Sequence, residues 1–532
     1  MKKFLLSGAA ALVLASCGNG GPTADPAEVE AALVQLSLRD SGSGRVEFEE
    51  SSVDGDDAVF RNVMIRTSDF ATTDDDADAD TDLDIDVEVG TDSADMKIGE
   101  MRFGGLYVSE EGIANFSDMT LSMIEAVPTD PAESEDVTAT LGEVSLVNPS
   151  PSLAAWLAGV FGQGEATDIP APEDVQFDSF SLSNWLIEGA DGEDMMRLSI
   201  DSIAAEDAGE SNLGQFGLSG LDLSFADGDD AGTFTLGSIE ITGANTEILE
   251  GLAKVEEDGP GEDLIGMMYG NPLDPGFDSF ELEGLNLDFA GLSVNLPSLV
   301  YDVTRNSDDI PTRYDMPEFT LTVNADAEGG SVGAELASAL LMLGFDELVL
   351  TGSGESSYDP ETDIGTTESS RFALADAFVL NTTSEIGGLS RMAAAMEEMD
   401  SEAFANGEQD PQAMMMEIYS ELDFYNFSLS LTDEGLVDKA LGFFAVQQGT
   451  TPETLRTNIL TMMGALPAMA QGFGVDPNIA ADLSAALSGF ISGDAGELTI
   501  SFDPETPFTL TELMQDPTQL TKERLGFSAT AE

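Results

Sequence analysis

The sequence predicts an α+β fold rich in β-strand: an elongated, one-sided antiparallel sheet built from repeated strand units, followed by a mixed helix-on-sheet domain. Three observations carry that expectation. An eight-residue pattern, apolar-x-x-apolar-x-apolar-x-Gly/Asn, recurs as IGEMRFGG at 98, LGEVSLVN at 141, FDSFSLSN at 177, LGQFGLSG at 213, LGSIEITG at 236, FDSFELEG at 277 and FDELVLTG at 345. Its period-two half, for example Phe280 and Leu282 against Glu281 and Glu283, describes a strand with one wet face, and the terminal Gly or Asn is expected to supply the turn. LGEVSLVNPSPSLAAWLAGV also aligns without a gap to LGSIEITGANTEILEGLAKV, so 141–235 and 236–330 read as two copies of one unit. From about residue 331 helical spacing takes over between strands.

At the N-terminus, Lys2 and Lys3 precede an apolar run from Phe4 to Leu14 and the small residues Ala15 and Ser16. That is the anatomy of a signal peptide over 1–16. A helix through the run would rise about 16 Å, too short for a hydrocarbon core roughly 30 Å thick. Leu14-Ala15-Ser16-Cys17 resembles the lipobox of bacterial lipoproteins, and Cys17 is the only cysteine in the chain. The resemblance implies a cleaved leader, a triacylated Cys17 and, because Gly18 follows where an aspartate would resemble an inner-membrane retention signal, an outer-membrane address in the cell envelope. Residues 17–26 are then a lipidated tether, and the fold is held without disulfides. Next, PAEVEAALVQLSL places Val29, Leu33 and Leu36 at helical spacing.

The repeat β-region spans 27–330 and the C-terminal α+β domain 331–532. In each copy of the duplication the strand runs into a capped helix, with Ser150 or Ser152 as cap in the first and Asn245 or Thr246 in the second. Beyond 331, helices are expected in SVGAELASALLMLG, GGLSRMAAAMEEM, PQAMMMEIYSEL, GLVDKALGFFAVQQ, TPETLRTNILTMMGALPAMA and PNIAADLSAALSGFI. Thr451, Pro452 and Glu453 supply a cap, a first-turn proline and an early carboxylate. Strands FDELVLTG, RFALADAFVLN, LDFYNFSLSL and GELTISFD lie between them.

Charge excludes whole classes of partner. The chain carries 18 Lys plus Arg against 102 Asp plus Glu, a net charge of −84, and loss of Lys2 and Lys3 takes −84 to −86. Such a field repels phosphates, so no nucleic-acid partner is expected. The chain holds no histidine, which removes the commonest general base and His-bearing zinc sites. None of Lys97, Lys254, Lys439 and Lys522 has a serine three residues before it, and no G-x-S-x-G or P-loop occurs. No catalytic residue is assigned and no enzyme activity is expected.

Residues 74–90, DDDADADTDLDIDVEVG, invite a calcium reading, but from Asp76 the sixth place of an EF-hand loop is Thr81 and the twelfth Val87. As a strand, Asp76, Asp78, Asp80 and Asp82 share one face about 6.8 Å apart, which is a solvated face or a loose divalent-cation site; no other cofactor is expected. The helices carry Met392, Met396 and Met399, Met414 to Met416, and Met462, Met463 and Met469, either ordinary core or an adaptable apolar surface. Leu153, Trp156, Leu157 and Val160 form a stripe that packs on the sheet or touches lipid.

The repeated strands over 58–330 are similar to those of AsmA-type envelope proteins, whose one-sided sheets cradle lipid. That resemblance implies lipid handling or outer-membrane maintenance; the lipid anchor and the helical second half depart from it. The residues lead to the same expectation independently, because an apolar sheet face must be covered by helices, a partner or lipid. Leu182, Leu221, Leu223, Leu282, Leu285 and Leu287 are the candidates to line a lipid groove, read as recurring with period two on one face. A structural or surface-adhesive acidic lipoprotein with a covered core is the alternative.

Overall fold

The computed structural model describes residues 25–66, 94–109, 112–128, 137–162, 170, 174–191, 194–209, 211–227, 230–245, 273–327, 329–397, 419–420, 422–472, 476–509, 511–512 and 521–532. Cys17, the acidic run 74–90, Met399, Met414 to Met416 and the helix expected in the second repeat copy lie outside them. The chain is α+β and β-rich, and it divides into two compact units, Met1–Glu256 and Glu257–Glu532. The expected border at 330/331 falls inside the second.

In the first unit, helix α1 (Pro26–Gln35) is capped by Asp25, whose carboxylate accepts the Ala27 N–H. Strands β1 (Val46–Asp54), β2 (Asp57–Ile65) and β3 (Ala94–Gly104) follow, then the two-residue β4 (Tyr107–Val108) and β5 (Ala114–Asn115), which pair with each other. The sheet resumes with β6 (Asp118–Pro128) and β7 (Val137–Val147), and after helix α2 (Pro151–Phe161) come β8 (Phe177–Asp191), β9 (Asp194–Ala208), β10 (Asn212–Asp227) and β11 (Asp230–Asn245). Each strand of the large sheet pairs antiparallel with the next, an open meander. Ser150 caps α2 as expected, accepting the Leu153 N–H.

Two helices seal one end of this sheet. Val29, Leu33 and Leu36 from the α1 region and Leu153, Leu157, Val160 and Phe161 from α2 meet the inward residues of β1 to β8 in one core. Phe60, Phe103, Phe116 and Phe161 are its centre, with Phe103 edge-on to each of the other three. Hydrogen bonds fix the cover. Gln35 brackets β5 by donating to the Gly112 carbonyl and accepting the Ala114 N–H, while buried Arg45 donates to the Gly159 carbonyl at the C-terminal end of α2. Trp156 packs against the same core, so the α2 stripe packs on protein.

The terminal Gly or Asn of the eight-residue pattern does not generally end a strand, contrary to the turn expected for it. Asn184, Gly220, Gly243 and Gly284 lie inside β8, β10, β11 and the later β12 (Ser279–Phe289), each in left-handed backbone with φ between 56° and 67°. Three left-handed residues, Met123 on β6, Asn184 and Gly220, fall with Asn62 on β2 in one row across the sheet. The alternate strands place Gly99, Gly142, Asp201 and Gly237 opposite them.

The physical consequence is a change of phase. On a regular strand residues three apart face opposite ways. Buried residues here step by three across the row: Phe60 to Val63, Ile98 to Met101, Leu121 to Ile124, Leu141 to Val144. On β2 and β6 the left-handed Asn62 and Met123 lie inside the step, and on β3 and β7 Gly99 and Gly142 stand opposite them, so the whole row shifts phase together and returns the apolar side chains to the core. The apolar-x-x-apolar step of the sequence pattern is this phase change, and the second-place glycines make room for it. A Cβ on Gly99 would lie 2.5 Å from the Met123 side chain, and one on Gly142 would lie 2.9 Å from the Asn184 Cβ.

In the second unit β12, β13 (Leu292–Arg305) and β14 (Pro311–Ala325) form the next meander, followed by helix α3 (Ser331–Leu343), β15 (Leu348–Asp359), β16 (Ile364–Leu374) and β17 (Phe378–Gly387). Helix α4 (Leu389–Glu397) leads toward β18 (Asp423–Asp433), and then helices dominate: α5 (Leu436–Gln448), α6 (Pro452–Met463), α7 (Leu466–Gly472) and α8 (Pro477–Ser492). Strands β19 (Glu497–Phe502) and β20 (Phe508–Thr509) pair with β18, and after the short α9 (Lys522–Leu525) β21 (Ser528–Ala531) adds on to β19.

Alternation decides which face is covered. Leu431, Leu498, Ile500, Ala529 and Ala531 pack under Ala486 and Phe490 of α8, the helix-on-sheet arrangement expected for this part of the chain. Thr451 caps α6 by accepting the Thr454 N–H, and Leu455 and Ile459 lock α6 to Leu441 and Ala445 of α5. The run 451–470, expected as one helix, is two, broken near Gly464 ahead of Pro467.

Candidate functional site

The six groove candidates separate into two environments. Leu182 on β8 is 7% exposed and belongs to the sealed core, so it is unavailable to a ligand in this structure. The other five are half-buried. Leu221 and Leu223 on β10 stand beside Leu236 and Phe234 of β11, and Leu223 also pairs with Leu198 of β9. These pairs extend a rung, Ile187–Leu198–Leu223–Phe234, across four strands. A small buried cluster toward the other ends of the same strands, Ala205, Leu213 and Ala244, is packed by Phe177, Phe180, Ala208, Phe216 and Ile241, strand residues every one.

In the second unit Leu282, Leu285 and Leu287 of β12 pair with Leu299, Leu296 and Val294 of β13, and Val294 continues to Val323 of β14 and Leu348 of β15. Simple period two does not join them, because Leu282 and Leu285 are three apart. Gly284, left-handed at φ 67°, lies between. Exposed Glu283, Asn286 and Asp288 make the same three-residue step on the other face.

On the outer face of the first unit a cleft of about 580 Å³ is lined by Met123, Glu125, Thr140, Asn184, Arg197 and Asp201, among others. It runs along the left-handed row, and sequence reasoning missed it. The available signal was the second-place glycine of the pattern combined with its three-residue apolar step.

Positive charge is already committed. Thirteen of the fifteen described Lys and Arg side chains form ion pairs. The other two, Arg45 and Lys439, donate to backbone carbonyls. The most enclosed pair is Arg305, which holds Asp274 with two 2.8 Å hydrogen bonds and Asp278 with one of 2.7 Å. Burial opposes ionisation of Asp274, but hydrogen bonds from the Arg305 guanidinium and the Gly276 N–H outweigh it and hold the carboxyl below its usual range. Tyr314 donates to the Leu273 carbonyl at 2.5 Å, and burial raises its pKa. Together these bonds fasten residues 273–278 to β13 and β14. Asp118 moves the opposite way: burial, with Asp57 and Asp56 nearby, raises it against the pull of Arg102.

Among the described residues no three His, Cys, Asp or Glu side chains converge as a metal site, and no helix is long and apolar enough to cross a membrane. A family model described as "Uncharacterized protein" matches residues 371–532, from within β16 through β21. No curated protein matches the chain.

Proposed function

We propose that this chain is a non-catalytic envelope lipoprotein, anchored through acylated Cys17, that holds lipid acyl chains against the half-buried apolar face of its long strands. The single observation that carries the reading is the rung Ile187–Leu198–Leu223–Phe234, half-buried throughout, on the sheet whose other end is sealed by α1 and α2. An apolar strip of that extent favours an apolar occupant, at about 25 cal/mol for each Å² removed from water. Committed cations disfavour a strongly anionic headgroup, so the ligand is a neutral or zwitterionic lipid. An outer-membrane address rests on the lipobox, and a loose divalent-cation role of Asp76, Asp78, Asp80 and Asp82 is a separate proposal that the lipid reading does not need.

The test is lipid extraction and mass spectrometry on the chain lacking residues 1–17. Copurifying phospholipid is expected from wild type. Leu223→Glu should lose it while keeping the wild-type circular dichroism, since a half-buried position tolerates the carboxylate in the fold but places it in the lipid's path. Lipid-free wild-type protein would leave a structural, surface-adhesive lipoprotein as the reading. Labelled palmitate entering wild type but not Cys17→Ser tests the anchor separately.

A further inference from the structure

In a chain with 102 acidic side chains, residues 457–475 contain no charged residue. Most of this tract forms the end of α6, the turn after it and α7. Thr461, Met462, Gly464, Ala465, Ala468 and Met469 are all exposed, Met462 at 67% and Met469 at 58%. They lie within one continuous helix-turn-helix and so form a single knuckle. Its inner side is fastened, because Ser484 of α8 donates to the Met463 carbonyl at 2.6 Å and Leu455 and Ile459 lock α6 to α5. The methionines are therefore held outward by a fixed scaffold.

The same combination recurs on neighbouring helices. Leu341 and Met342 of α3 are exposed within the charge-free run 336–345, and Phe444 and Val446 of α5 within 440–452. Helices α3 and α5 touch, with Lys439 of α5 donating to the Gly344 carbonyl at the end of α3.

We propose that the α6–α7 knuckle is a bilayer-contact surface that dips into the apolar boundary of a neutral leaflet. Charge selects this occupant. A protein at −84 is repelled by anionic surfaces, and its carboxylates resist desolvation, so close approach to lipid requires a surface stripped of them. The hot spots of protein interfaces are enriched in Trp, Tyr and Arg, and the tract has none of the three. Methionine suits fluid acyl chains, because its flexible thioether adapts to irregular apolar surroundings. The proposal needs neither the Cys17 anchor nor lipid on the strand face.

Vesicle cosedimentation of the chain lacking residues 1–17, none of them among the described residues, tests it. Phosphatidylcholine vesicles should bind the protein, and adding phosphatidylglycerol should weaken binding at low salt. The double variant Met462→Glu/Met469→Glu should lower partitioning about tenfold or more, since both side chains would have to bury a charge. Both positions are exposed, so its melting temperature should stay at the wild-type value. The double variant should still copurify as much phospholipid as wild type in the extraction assay, which separates this surface from the strand-face reading. Failure of wild type to bind phosphatidylcholine, or equal binding by wild type and double variant, would overturn the proposal. So would a double variant that only converts an oligomer to a monomer, which would make the knuckle a contact between copies.

Discussion

The two ends of the first unit's sheet share one construction and differ in one thing. From β2 to β11 one row, left-handed on alternate strands, crosses the sheet, and the strands share the same three-residue apolar step. At the β1–β8 end, Phe60, Phe103, Phe116 and Phe161 are fully buried under α1 and α2, whereas on β9 to β11 most inward residues, Leu198, Leu218, Leu221, Leu223 and Phe234 among them, keep part of their surface exposed. The strand pattern therefore decides where an apolar side chain points, and the helices decide whether anything covers it. One end is a core, and the other is a half-exposed apolar surface.

The largest expected effect tests that contrast. Phe103→Ala should cost about 3–5 kcal/mol in urea denaturation, because it opens a cavity among three other rings, while Leu223→Ala should cost about 1 kcal/mol. Similar losses at both positions would show that β10 is as sealed as β3.

Next in size is the row itself. Gly142→Val should destabilise by roughly 1–3 kcal/mol, since its Cβ would press on the Asn184 Cβ and lie 3.2 Å from the Ser183 carbonyl oxygen. Gly217→Ala on β10 is the control: its Cβ meets only the Ile239 carbonyl oxygen at 4.0 Å, so its effect should stay within about 0.5 kcal/mol. Equal effects would mean that glycine at the row has no steric purpose.

Arg305→Met should destabilise by about 1–3 kcal/mol by leaving Asp274 without its forked partner. The sign of the pH dependence comes from the lowered Asp274 pKa. The ionised pair stabilises the fold above the usual carboxylate range, and that contribution is lost as pH falls through the lowered value. The gap in melting temperature between wild type and Arg305→Met should accordingly narrow in acid; a gap that widened there would remove Asp274 as the cause.

The smallest effect has the opposite sign. Met123 holds φ 57° with a long side chain, where Asn62 and Asn184 occupy the same row with the residue type that tolerates left-handed backbone best after glycine. Met123→Asn should stabilise by roughly 0.5–1 kcal/mol in the same melts. A loss would mean that the 67% exposed thioether over Gly99 contributes more than the strain costs.

Much of the fold was legible because alternation and caps are local. Ser150 and Thr451 cap the helices they were expected to cap, and the helices at 331–343, 436–448 and 477–492 follow their apolar spacing. The role of Asn184, Gly220 and Gly284 was not legible, because a glycine or asparagine after an apolar pair reads equally as a turn or as a phase change. Only the neighbouring strand distinguishes the two. For the candidate site the same limit holds: Leu182 and Leu223 look alike in sequence, and what separates them is α2, lying some 20 or more residues upstream of both and folded over one of them.

The meander also has a consequence in time. Each strand from β7 to β11 finds its partner in the strand just before it, so the chain can close one hairpin after another, with short links except between β7 and β8, where α2 intervenes. Low contact order of this kind favours rapid assembly. The sealed end is different, because Phe161 reaches Phe103 and Arg45 reaches the end of α2 across more than 50 and 100 residues of chain. The hairpins can therefore zip early, while the core under α1 and α2 must wait until β7 and α2 have been made.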